Sequence, residues 1–197
     1  MIYRPSIHRW VILLFVGIMA IGLFFAIRYL NRPDPTLEES PQDYRILICR
    51  YATRSDLPEV FVHKVVLAES SGDPQAVSRL NAKGLMQIMP AAETDALKHL
   101  PGRERGDLFD SEYNLLIGTT YLRILADRFD GDAYLVLAAY HMGPTRVSKH
   151  LKNNPGISGK LLVDRFAGPA TRAYCDKILQ GKSLRLHVTR PLAYPNR

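Results

Sequence analysis

Residues 11–27, VILLFVGIMAIGLFFAI, run for 17 positions without a charged side chain. In lipid every backbone N–H and C=O must be satisfied within the segment, so a run this apolar folds as a helix, and crossing a bilayer takes about 20 residues. A cleaved signal has an apolar run of only about 7 to 15 residues and a small-residue cleavage site, which is missing here. Residues 1–30 are therefore expected to be an N-terminal transmembrane helix acting as an uncleaved anchor. Charge does not orient it, because Arg4 and Arg9 on one side balance Arg28 and Arg32 on the other.

Residues 31–43, NRPDPTLEESPQD, hold three prolines, four acidic residues and one large apolar side chain, Leu37. Such a stretch buries too little to fold alone and reads as a spacer. Residues 44–197 follow, about 150 in number, enough for one domain with a single core. The chain is 47% hydrophobic, which excludes disorder as its main state. The first 43 residues carry four Arg and four acidic residues, so the formal charge of +7 belongs wholly to the domain. A basic domain suits an anionic polymer or surface, but no nucleic-acid-binding motif accompanies the charge, and nucleic acid is not an expected partner. Cys49 and Cys175 lie near the two ends of the domain. They allow either one disulfide in an oxidising compartment or two buried free thiols.

The apolar spacing is helical almost throughout. Helices are predicted over 43–53, 56–70, 90–100, 110–129, 132–141, 145–152 and 170–180. Asp56 and Pro58 read as entry signals for the second, and Gly72 ends it. The stretch 132–141 is apolar enough to be a buried central helix, and residues 181–197 form a basic C-terminal extension. No strand pattern exceeds a few residues.

Within HKVVLAESSGDPQAVS, residues 63–78, one residue breaks the pattern. Val62, Val65 and Val66 share a helix face, and Glu69 falls on that face three and four positions further on. A carboxylate on an apolar face, in the last turn where the helix dipole is negative, is disfavoured as the anion, and both effects raise its pKa. A carboxyl group kept protonated near neutral pH suits the protonation of a glycosidic oxygen.

The segments after Glu69-Ser70 extend this reading. Ser78 stands nine residues on, Gly84-Leu-Met-Gln87 follows, then Ala138-Ala-Tyr140-His141-Met-Gly143, and finally Thr171-Arg-Ala-Tyr174. As a set, over roughly residues 45–180, they resemble the lytic transglycosylase domain, a relative of goose-type lysozyme. The resemblance implies an all-α, lysozyme-like helical fold over 44–180. It also implies cleavage of the β-1,4 bond between N-acetylmuramic acid and N-acetylglucosamine in peptidoglycan, leaving a 1,6-anhydro end. Neither cofactor nor metal is called for. Glu69 is implied as the single acid and base, and Ser78, Gln87, Met89, Tyr140 and His141 as residues that meet the glycan. Ser70 is expected to end the helix and position Glu69, and Tyr174 to pack in the core.

Most glycosidases use two carboxylates. Here Asp73 reads as a turn residue, and Glu93 and Asp95 as members of a solvated helix face, so none is a persuasive nucleophile. In a transglycosylase the sugar's own C6 hydroxyl takes that part. Two positions depart from the family pattern: His141 stands where it usually has Asn, and Ala170 where it usually has Glu. A hydrolytic muramidase on the same fold, or an inactive peptidoglycan-binding module, are the alternative readings. The implied partners are peptidoglycan strands, the inner membrane through the anchor, and cell-wall or secretion machinery, with the domain in the periplasm.

Overall fold

The structure, a computed structural model, describes residues 43–187. The expected anchor, all of the spacer but Asp43, and the end of the basic extension lie outside the described residues. Among the described residues no helix is long and apolar enough to cross a membrane.

Among the described residues eight helices carry the fold: α1 (Asp43–Arg54), α2 (Glu59–Glu69), α3 (Pro90–Leu97), α4 (Ser111–Arg128), α5 (Ala133–Met142), α6 (Pro144–Asn153), α7 (Gly159–Phe166) and α8 (Pro169–Leu179). Among the described residues, β pairing is limited to isolated bridges, two of which, Val77 to Lys83 and Lys83 to Ile88, shape the loop between α2 and α3. The all-α expectation holds, with one helix more than the sequence reading allowed. The missed element is α7, only eight residues long. Its signal was present in the Ser158 side chain that accepts from Leu161 N, and in Leu162 and Phe166 one turn apart.

Two aspartyl caps set the central pair. Asp110 accepts from Tyr113 N to start α4, and Asp132 accepts from Tyr134 N and Leu135 N to start α5. Every residue of α5 from Ala133 to Ala139 is buried, as its composition requires, and α4, α6, α7 and α8 pack against it. α4 is buried on nearly all sides, yet it carries Thr119 and Thr120. Their hydroxyls donate to Leu115 O and Leu116 O one turn back, both at 2.7 Å, so neither hydroxyl is stranded. Gly118 precedes them where Met86 presses on the helix: a Cβ at this position would overlap the Met86 side chain.

Three expectations are corrected. Asp56 does not cap α2, since Pro58 holds the N-cap position with no side-chain bond; Asp56 instead turns at a φ of 55° and lies 3.8 Å from Arg123. Glu93 is not on a solvated face but buried, ion-paired with Arg105 and accepting from the Tyr113 hydroxyl at 2.7 Å. The cysteines are both free, and only Cys175 is buried, while Cys49 is exposed on α1. The described part of the C-terminal extension straps onto the start of α5: Leu186 N donates to Gly131 O at 2.8 Å, and Ala133 N to Leu184 O at 3.1 Å.

Gly118→Ala is expected to lower stability by about 1–2 kcal/mol, because overpacking against Met86 outweighs the gain in helix propensity. A urea midpoint equal to or above that of the wild type would contradict this packing.

Candidate active site

α2 delivers Glu69 as its last residue. Phe61, Val62, Val65 and Val66 bury the face beneath it, so the carboxyl is carried to the edge of the core. The helix stops there because Ser70 turns back: its hydroxyl donates to Leu85 O at 2.8 Å and accepts from Gly72 N at 3.1 Å. One side chain therefore both ends the helix and ties it to the Gly84–Gln87 loop, the positioning role expected of Ser70.

Burial raises the Glu69 carboxyl from 4.5 to about 7, against the opposing pull of a hydrogen bond from Tyr174 and the charge of Lys177. The Tyr174 hydroxyl donates to Glu69 Oε1 at 2.7 Å. Among the described residues no arginine pairs with Glu69, and its position is not fully solvated. Tyr174 does not simply fill the core, and this is the site residue that sequence reasoning missed. The Thr171-Arg-Ala-Tyr174 segment was its signal, since an aromatic on the buried face of α8 carries a hydroxyl that must find a partner.

Tyr140 and His141 reach the same place from the end of α5. The phenols of Tyr140 and Tyr174 are held well above their usual range, first by burial and then by the nearby Glu69 charge. Tyr140 donates to Met86 O at 2.7 Å, which anchors the Gly84–Gln87 loop from the other side. The His141 ring lies 4.8 Å from that of Tyr174, and its Nδ1 shares a 3.0 Å hydrogen bond with Thr171 Oγ1. Burial lowers the His141 pKa, which favours the neutral ring.

The loop residues are engaged differently. Gln87 Nε2 donates to Ala76 O and Gly84 O, both at 3.1 Å, while Ser78 Oγ accepts from Leu80 N and Ala82 N. Both side chains thus brace the loop backbone. Met89 is 39% exposed at the start of α3, whereas Met86 is fully buried. Asn114 completes the support: its Oδ1 accepts from Met86 N at 2.8 Å and its Nδ2 donates to Lys83 O and Leu108 O. Gly84, at a φ of 73°, leaves room for that amide, where a Cβ would collide with it.

The structure thus gathers Glu69, Tyr140, His141 and Tyr174 at one place and sets Ser78, Gln87 and Met89 on the adjoining loop. Asp73 accepts from Gln75 N and makes the turn after Glu69. Among the described residues no three His, Cys, Asp or Glu side chains cluster as metal ligands. Two hollows of about 280 and 310 Å³ lie by the C-terminal strap, lined by residues such as Asp132, Lys160 and Arg185, and include none of the predicted site residues.

The family described as "Transglycosylase SLT domain" matches residues 46–163. The soluble lytic murein transglycosylase of Escherichia coli K12 is 34% identical over 150 residues, 74% of this chain and 23% of that protein. The membrane-bound lytic murein transglycosylase E of Buchnera aphidicola is 29% identical, over 68% of this chain and 71% of its own length. Among solved structures, the 70 kDa soluble lytic transglycosylase of Escherichia coli superposes with a TM-score of 0.61 at 33% identity, over 69% of this chain and 23% of that one. The lytic transglycosylase Slt of Pseudomonas aeruginosa, solved as an inactive Glu-to-Gln mutant, gives a TM-score of 0.63 at 26% identity, over 68% and 22%. This chain therefore spans about a quarter of the length of the soluble relatives it matches.

Because its pKa rises on folding, Glu69 contributes stability that is fully present below pH about 4.5 and is lost as the pH rises through about 7. At about 1.4 kcal/mol per pH unit, the ionised carboxylate costs the folded domain roughly 3 kcal/mol at pH 8.5. Glu69→Gln is expected to raise Tm at pH 8.5 by about 6 °C and to leave it nearly unchanged at pH 4. Equal shifts at the two pH values in calorimetry would contradict the burial of this group.

Proposed function

As the chain belongs to the SLT transglycosylase domain family, we propose that its helical domain is a peptidoglycan lytic transglycosylase. It cleaves the β-1,4 bond between N-acetylmuramic acid and N-acetylglucosamine and leaves a 1,6-anhydro end. The observation that carries this reading is Glu69 itself, a half-buried carboxyl with a pKa of about 7 and a tyrosine hydroxyl on one oxygen. At neutral pH a large share of it holds a proton to give. In the first step Glu69 transfers that proton to the glycosidic oxygen as the bond to the anomeric carbon breaks, and the N-acetylglucosamine unit leaves. In the second the C6 hydroxyl of the muramic acid bonds to the anomeric carbon, and its proton passes to the Glu69 carboxylate. The acid is restored, and no water is consumed.

A single carboxyl suffices for this cycle. The other candidates near it in sequence have different tasks: Asp73 makes a turn, Glu93 is paired with Arg105, and Asp95 is paired with Lys98. Tyr174 holds Glu69 Oε1, which leaves the other oxygen for the substrate, and it favours the ionised form once the proton has left. His141, packed on Tyr174 and tied to Thr171, is read as keeping that hydroxyl aimed. Gln87, Ser78 and Met89 line the loop along which the glycan lies. The inactive Glu-to-Gln mutant of the Pseudomonas aeruginosa neighbour agrees with one glutamate being indispensable. The apolar run at residues 11–27 would hold the domain on the outer face of the inner membrane, a setting in keeping with relatives named membrane-bound.

Full-length protein incubated with isolated sacculi is expected to release products ending in 1,6-anhydromuramic acid. Reducing ends would establish the hydrolytic muramidase, and binding without any product the inactive module. Glu69→Gln should lower turnover by about 10²- to 10⁴-fold, the usual worth of a general acid, with binding intact. Tyr174→Phe should lower turnover about tenfold and move the alkaline limb of the pH–rate profile upward, because a bond that favours the carboxylate is lost. A limb that stays in place or moves down would separate Tyr174 from the acid.

A further inference from the structure

Between Asp132 and Asp164 the chain has no acidic residue at all, although it holds Arg146, Lys149, Lys152 and Lys160. Three of these four lie on α6. Val147 packs that helix inward and Leu151 is half-buried beside it, so the opposite side, with Arg146, Lys149 and Lys152, is exposed. Lys160 is neutralised by Asp164 at 2.7 Å. Among the described residues, no carboxylate pairs with Arg146, Lys149 or Lys152. Arg128, at the end of α4, adds to the same side, since its Nη2 donates to Ser148 Oγ of α6 at 3.0 Å.

The place of this row matters as much as its sign. α6 starts three residues after His141, across Gly143 at a φ of 94°, and it packs against α5. The cations therefore follow directly on the end of α5 whose His141 packs on Tyr174, the partner of Glu69. At 1.5 Å per residue, Arg146 and Lys152 are about 9 Å apart along the axis. Three like charges this close repel one another, and only Lys152, in the last turn, gains from the helix dipole.

The geometry points to α6 as a docking ridge for the acidic peptides attached to the glycan strand, which gives the proposed site a preference for substrate bearing carboxylates. This rests on the reading of the substrate given above. The strand lies at Glu69, while the peptides branching from its muramic acid units extend over the first turns of α6. There their carboxylates meet Arg146, Lys149 and Lys152. A strand stripped of peptides loses these contacts and keeps those at the catalytic glutamate.

The test compares full-length protein in detergent with the triple variant Arg146→Gln, Lys149→Gln, Lys152→Gln on intact sacculi and on glycan strands stripped of peptides by an amidase. The three positions are exposed and outside the catalytic machinery, and an unchanged Tm checks that the variant folds. KM on intact material is expected to rise about tenfold, as for three partly screened charge pairs, with kcat unchanged. On stripped strands KM should not move, and the difference between the substrates should shrink as salt is raised. Equal effects on both substrates, or none on either, would overturn the proposal. If the wild type makes no product from either substrate, the enzymatic reading fails instead, and cosedimentation then decides: preference for intact over stripped sacculi, lost in the variant, supports the ridge, and no preference refutes it. Cosedimentation with vesicles of anionic lipid that depends on the three residues, without discrimination between the two sacculi, would show that the ridge serves a membrane and refute the peptide assignment.

Discussion

Everything at the candidate site depends on placing one carboxyl group where water reaches it poorly. Val62, Val65 and Val66 bury the face of α2 that leads to Glu69, and the desolvation they enforce outweighs the hydrogen bond of Tyr174 and the charge of Lys177, both of which favour the anion. The balance leaves the group near neutrality instead of fully charged or permanently protonated. A deeper position would fix the proton in place, and a shallower one would give it up to solvent.

That balance needs a rigid frame, and the frame comes from backbone carbonyls. Leu85 O receives Ser70, Met86 O receives Tyr140, and Ala76 O and Gly84 O receive Gln87, while Asn114 of α4 binds both Met86 N and Lys83 O. The short loop around Gly84 is thereby pinned from α2, α4 and α5 at once. Each of those bonds is worth only about 1 kcal/mol net, but a buried partner left alone costs more, so the set moves as one unit. Met86 joins the frame to the packing of α4, because its side chain fills the place that Gly118 leaves open.

Much of this was legible in the residues. The inward direction of Glu69 followed from the spacing of Val62, Val65 and Val66, and the burial of α5 from its composition. What escaped depended on contacts distant in the chain. Asp56 looked like a cap because Asp often is one, but Arg123, 67 residues later, lies beside it. Glu93 looked solvated because Arg105 and Tyr113, which bury it, come from the next loop and helix. Tyr174 looked like core because its buried ring was predictable and its hydroxyl's partner, 105 residues away, was not. The short helix α7 shows the other limit: eight residues give too few turns for a period to stand out.

The central claim is that Glu69 titrates near neutrality in the folded protein. Carboxyl carbon NMR on protein labelled with ¹³C at the glutamate side chains, with Glu69→Gln used to assign the signal, reads this directly. A midpoint at about pH 7 is expected for Glu69. A midpoint near the ordinary glutamate value of about 4.3 would contradict it.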